Sequence, residues 1–141
     1  MDRRGFIGGV GAATLAGVSV TGCSSFVVTP VTPVNGVVRL PIRNHPQLEQ
    51  PNGFIRIRPQ GRVEPILILR QDNGGFAALS PICTHLQCTV NVQDSLIVCP
   101  CHGSTYDRAG RVLRGPAERP LGTYPARVED GVLLITIPEA P

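Results

Sequence analysis

The sequence predicts an all-β fold, with small antiparallel sheets packed as a sandwich or barrel. Three observations predict it. Fourteen prolines and sixteen glycines in 141 residues favour short strands and many turns over long helices. Short runs rich in Ile, Val, Leu and Phe recur from residue 36 onward, each closed by turn residues. No helical period is sustained, and no internal repeat is visible.

The runs, in order, are VVRLPI (37–42), FIRIR (54–58), ILILR (66–70), FAALS (76–80), TVNV (89–92), SLIVC (95–99), YPARVE (124–129) and VLLITI (132–137). Alternation in Phe54–Arg58 places Arg56 and Arg58 on one face of their strand. Turns are expected at QPNG, RPQGRVEP and QDNGG, and Asp130–Gly131 marks a hairpin between the last two runs. A hydrophobic content of 42% permits a modest core for a chain of this size. All 13 basic residues are arginine, which reads as genome bias, and the net charge of +3 is too small and too evenly spread for a nucleic-acid surface.

The first 22 residues are set apart. Arg3 and Arg4 head an uncharged, glycine-rich run from Gly5 to Gly22, the layout of an export signal. The paired arginines followed by Gly5, Phe6 and Ile7 resemble a twin-arginine signal, with Asp2 where Ser or Thr is usual. VTGC (20–23) resembles a lipoprotein lipobox, which makes Cys23 a lipidation site. An uncleaved membrane helix and simple release are the competing readings, since no charge occurs from Gly5 to Val38, long enough to cross roughly 30 Å of bilayer. Residues 23–35, with Pro30 and Pro33, read either as a semi-rigid tether or as an edge strand lying along the domain. The folded domain is then 36–141, placed by either anchor on the outer, periplasmic face of a bacterial cytoplasmic membrane.

The chemistry is concentrated in CTHLQC (83–88) and CPCHGS (99–104). These hold four of five cysteines and two of three histidines. Two Cys and two His form a generic zinc set. Zinc motifs usually pair like ligands on one element, however, whereas each block here offers both sulfur and nitrogen. A single zinc ion would also leave two cysteines unassigned.

The two blocks resemble the cluster motifs of the Rieske [2Fe–2S] family, over roughly residues 36–137. The resemblance implies a Rieske-type sandwich or barrel carrying a small cluster-binding subdomain formed by two loops. It implies Cys83 and Cys99 on one iron, His85 and His102 on the other, and a disulfide between Cys88 and Cys101. That disulfide resembles the high-potential, cytochrome bc-type branch. There, residues matching Ser104 and Tyr106 donate hydroxyl hydrogen bonds to cluster and ligand sulfurs, and a loop matching Gly115, Pro116 and Ala117 covers the cluster. Two histidines in place of two thiolates make the oxidised cluster about neutral rather than about −2, which raises its potential to roughly −150 to +300 mV, against about −400 mV for plant-type ferredoxins. Two departures bear on docking at a quinol pocket rather than on ligation. Gln87 stands where glycine is usual, and Glu118 and Arg119 precede Pro120.

The implied function is one-electron transfer with cytochrome b and quinol, a periplasmic cytochrome c or an oxidoreductase subunit as partners. The chain would serve as the iron–sulfur subunit of a quinol–cytochrome c reductase, as a free-standing carrier, or as the small subunit of another periplasmic oxidoreductase such as arsenite oxidase. A non-redox zinc module is the alternative from a different class. No nucleotide-binding glycine motif or triad pattern is present, so any enzymatic activity belongs to a complex. His45, alone beside a proline, reads as a loop residue.

Overall fold

The structure, a computed structural model, describes residues 27–138. The export segment and Cys23 lie outside the described residues. Among the described residues, twelve strands form three sheets, in the orders β1-β3-β4-β5-β10, β11-β12-β2 and β6-β7-β8-β9. Their ranges are β1 Val28–Val31, β2 Val37–Pro41, β3 Phe54–Pro59, β4 Ile66–Arg70, β5 Phe76–Leu79, β6 Asn91–Gln93, β7 Leu96–Val98, β8 Thr105–Tyr106, β9 Val112–Arg114, β10 Thr123–Tyr124, β11 Ala126–Glu129 and β12 Val132–Thr136. Two short 3-10 turns, Ile42–Asn44 and Pro46–Glu49, link β2 to β3.

β4 organises the layers. Ile66, Leu67, Ile68 and Leu69 are all fully buried, as a strand covered on both faces must be. Ile66 and Ile68 face a core shared with Val38, Leu40, Ile55, Ile57, Leu133 and Ile135. Leu67 and Leu69 face the other way, into a core with Leu79, Val90, Ile97, Tyr106, Cys83 and Cys99. The first core joins two sheets into a basal sandwich. The second seats the small β6–β9 sheet, and with it both cysteine–histidine loops, on the opposite face.

Arg56 and Arg58 do share a face, but their surroundings differ. Arg58 is exposed, whereas Arg56 is 5% exposed under the small subdomain and donates from Nη2 to the Val90 carbonyl at 3.2 Å. The run 124–129 is two strands. Tyr124 pairs with β5 and Ala126 with β12, and Pro125, which has no N–H to donate, marks the crossing between sheets. Asp130 and Gly131 adopt φ of 48° and 74°, matching the hairpin expected there.

The tether reading of 23–35 is corrected within the described residues. Val28–Val31 pairs parallel with β3, so the edge-strand reading holds for this stretch and the folded domain begins before residue 36. Proline is tolerated because β1 is the edge, and Pro30 sits at an exposed position. Val31 packs on the basal core, and Asn35–Gly36, both at positive φ, turn the chain into β2. Among the described residues, no helix is long and apolar enough to cross a membrane.

Candidate metal centre

The two motif blocks fold alike. In the first, Cys83 N donates to Cys88 O at 2.8 Å and Gln87 N to Cys83 O at 3.0 Å. In the second, Cys99 N donates to Ser104 O at 2.8 Å and Gly103 N to Cys99 O at 3.0 Å. The residue four after each cysteine turns through the left-handed region, Gln87 at φ 61° and Gly103 at φ 80°. This backbone need explains why glycine suits the position that Gln87 fills. We expect Gln87→Gly to stabilise the chain by about 0.5 to 1 kcal/mol, measured by chemical denaturation, because a side chain at this φ costs about 1 to 2 kcal/mol and glycine's extra freedom in the unfolded chain takes back roughly half of it.

Equivalent turns point equivalent side chains together. Cys83 and Cys99 are free thiols, 1% and 2% exposed, at the floor of the site. Above them the rings of His85 and His102 meet edge to face, centroids 4.9 Å apart. His85 is half-buried and His102 exposed. Cys88 and Cys101 form a disulfide with a Cα–Cα distance of 6.4 Å, joining the two loops. The sulfurs of Cys88, Cys99 and Cys101 lie within 4.8 Å of one another, but the two bonded to each other supply no thiolate. That trio therefore reflects the clamp beside the site and is not a second site.

Burial pushes the Cys83 thiol up. The Tyr106 hydroxyl, the His85 backbone, Cys99 and Ser104 together outweigh it and hold Cys83 below the ordinary thiol range. Cys99 stays above that range, raised by burial, with Cys83 alongside adding to the rise. The floor is thus a pair of neighbouring thiols whose acidities are pushed in opposite directions.

The surrounding shell ties three segments together. Tyr106, fully buried, places its Oη 3.2 Å from Cys83 Sγ and accepts from Thr84 N at 3.3 Å. Ser104, also fully buried, accepts from Ala117 N at 3.0 Å. Thr84 donates its hydroxyl to Arg119 O at 2.6 Å. The segment containing Gly115, Pro116 and Ala117 is therefore pinned to both loops, with Ala117 buried and Gly115 and Pro116 exposed. The Thr84–Arg119 link carries no sequence signal beyond a hydroxyl next to Cys83. His45 lies in the β2–β3 connection, linking the two 3-10 turns through its backbone.

One atom tests what the site holds. His85 Nδ1 is buried and has no hydrogen-bond partner among the described residues. Such an atom costs about 1 to 3 kcal/mol unless something satisfies it. Two buried thiols and two facing imidazoles, one with that nitrogen buried and unpartnered, suit a group with a sulfur-bound end and a nitrogen-bound end. The Rieske [2Fe–2S] domain matches residues 43–125, which span both loops and the segment over them. The chain belongs to the Rieske [2Fe–2S] family. Its cofactor is a [2Fe–2S] cluster, and its activity is electron transfer by that cluster.

Likeness to known proteins extends beyond the motifs. The cytochrome b6-f complex iron–sulfur subunit of Chlorobaculum tepidum is 33% identical over 142 residues, covering 96% of this chain and 76% of that protein. The plasma membrane Rieske protein PetC3 from Synechocystis PCC 6803 superposes with a TM-score of 0.54 at 33% identity, covering 60% of this chain and 86% of that one. A ferredoxin of Sphingomonas yanoikuyae B1 superposes with a TM-score of 0.51 at 26% identity, covering 65% and 94%.

Proposed function

We propose that Cys83 and Cys99 hold one iron and His85 and His102 the other, in a high-potential centre that passes single electrons at the outer face of a cytoplasmic membrane. The observation that carries this reading is the pair of free, buried thiols beneath two touching imidazoles, one with a buried and unpartnered Nδ1. When bound, the cluster takes up and releases one electron. The chain's own part is positional. Burial keeps water from the thiols, and the disulfide fixes the loops relative to each other. Among the proposed ligands only the histidines reach the surface, so a partner would meet the centre there.

Likeness to cytochrome b6-f iron–sulfur subunits over nearly the whole chain supports a cytochrome-complex partner, with quinol as donor and a c-type cytochrome as acceptor. A disulfide supports an oxidising compartment. The arginine pair and the lipobox-like VTGC support export and an anchor at Cys23, with an uncleaved helix as the other form of anchor. One observation favours a free-standing carrier or a subunit such as that of arsenite oxidase: exposed Gln87 adds a side chain beside His85. Quinol oxidation on reconstitution with cytochrome b separates these settings.

The purified full-length protein should be coloured, contain two irons and two sulfides per chain, and give an EPR signal on reduction. A colourless chain holding one zinc ion refutes the ligand assignment. The hydroxyls of Ser104 and Tyr106 give a sharper test of the high-potential subtype. Donors to the sulfurs stabilise the more negative, reduced centre. Ser104→Ala and Tyr106→Phe should therefore each lower the midpoint potential. A preference of about 1 to 1.5 kcal/mol corresponds to roughly 40 to 60 mV for one electron. Redox titration with both variants at the wild-type potential removes the tuning role.

A further inference from the structure

Arg108 stands outside both motif blocks, two residues past Tyr106, yet it is 7% exposed. A buried arginine needs a hydrogen-bond partner for its fork of donors. Here every partner is a backbone carbonyl from a different segment. Nε donates to Arg70 O at 3.0 Å, at the end of β4. Nη2 donates to Gly53 O at 2.8 Å, just before β3. Nη1 donates to Asp94 O at 3.0 Å, in the turn between β6 and β7. The Arg108 carbonyl in turn accepts from Gln71 Nε2 at 2.8 Å.

Two of these carbonyls belong to the basal sandwich and one to the small sheet. The guanidinium therefore ties both to the chain that immediately follows Tyr106. That chain has little freedom left. Tyr106 is paired with Ile97 on one side and Val112 on the other, and Asp107 closes the next turn by accepting from Ala109 N and Arg111 N at 2.9 Å each. Tyr106 Oη sits 3.2 Å from Cys83 Sγ, so a small shift of the strand along its axis would break that contact.

We propose that Arg108 is a positioning residue for the metal centre: it locks the β8–β9 segment onto the basal sheet and so sets the approach of the Tyr106 hydroxyl to Cys83. The inference rests on the proposed ligand set and goes beyond it, because Arg108 touches neither a ligand nor the loops that carry them. It acts through geometry. A lysine keeps the charge but lacks the planar fork and cannot bridge three carbonyls in the same way.

The test compares Arg108→Lys and Arg108→Met in the full-length protein, each alone and combined with Tyr106→Phe. Midpoint potential, the EPR spectrum of the reduced protein and thermal unfolding are the readouts. Both single variants should lower the potential in the direction of Tyr106→Phe and change the EPR spectrum. In the Tyr106→Phe background neither should lower it further, since the contact they disturb is already gone. Three results overturn the proposal: a wild-type potential and spectrum whatever the loss of thermal stability; a shift in Arg108→Met alone, which is an effect of charge; or an undiminished shift in the Tyr106→Phe background. If Arg108→Met does not fold, Gln71→Ala, which removes the 2.8 Å donor to the Arg108 carbonyl and a longer 3.4 Å one to Leu69 O, takes its place: a wild-type potential and spectrum, or an undiminished shift in the Tyr106→Phe background, overturns the proposal. A colourless parent would refute the cluster ligation instead. A coloured parent indifferent to Arg108 refutes this inference alone.

Discussion

Cys83→Ala is expected to give a colourless chain with no EPR signal on reduction, a complete loss rather than a graded one. Removing this thiol takes away a proposed iron ligand and leaves Tyr106 Oη facing an alanine methyl. His85→Ala should have the same outcome by a different route. It removes the imidazole whose buried Nδ1 lacks a partner among the described residues. Cys83 is buried, so no water ligand readily replaces its sulfur. His45→Ala is the internal control. That histidine lies between two 3-10 turns, and its replacement should leave colour, iron content and potential unchanged. Iron and sulfide analysis with visible absorption reads all three variants. Retention of a cluster in Cys83→Ala or His85→Ala would mean that the proposed ligand set is wrong.

Where sequence reasoning succeeded, the signal was local. The apolar runs at 37–42, 54–58, 66–70 and 76–80 lie where β2 to β5 are found, and Asp130–Gly131 turns as that dipeptide should. β4 also shows why an unbroken apolar run was informative: Ile66–Leu69 alternate between two cores, so no polar residue interrupts them. The misses share a cause, which is dependence on distant partners. β1 was half hidden by Pro30, and its pairing rests on β3, some 28 residues away along the register. β8 and β10 have two residues each and β9 three, too few for any period to show. Arg56 and Arg108 carry the sequence signature of surface residues and are buried because distant carbonyls receive them.

The site divides in the same way. Spacing alone suggested a mixed sulfur and nitrogen donor set, and family resemblance paired Cys88 with Cys101. The Thr84–Arg119 contact spans 35 residues and needed the fold. Gln87 shows what the backbone adds to a motif. Its positive φ accounts for the usual glycine without reference to the cluster at all.

Removing the clamp should be the most damaging change that leaves every proposed ligand in place. The disulfide closes 13 residues of sequence between two loops whose other ties are backbone hydrogen bonds within each loop, the Tyr106 hydroxyl against Cys83 and Thr84, and the segment laid over them. A closed loop of that size restricts the unfolded chain by about 3 kcal/mol. For a domain of this length the loss lowers the unfolding midpoint by about 10 to 20 °C. The double change Cys88→Ala and Cys101→Ala is the cleaner experiment. A single change would leave one released thiol within 4.8 Å of Cys99, where it could exchange or bind metal in its own right. In the double variant, freed loops let the Cys83–His85 and Cys99–His102 pairs drift apart, so the cluster should assemble in fewer chains and bleach faster in air. A thiol reductant should reproduce the effect on the unaltered protein, since Cys101 is exposed and Cys88 only half-buried. Thermal unfolding together with the decay of visible absorption reads both consequences. An unfolding midpoint and a bleaching rate equal to those of the unaltered chain would show that the Tyr106 hydroxyl and the covering segment hold the loops by themselves, and that the disulfide contributes nothing to the centre.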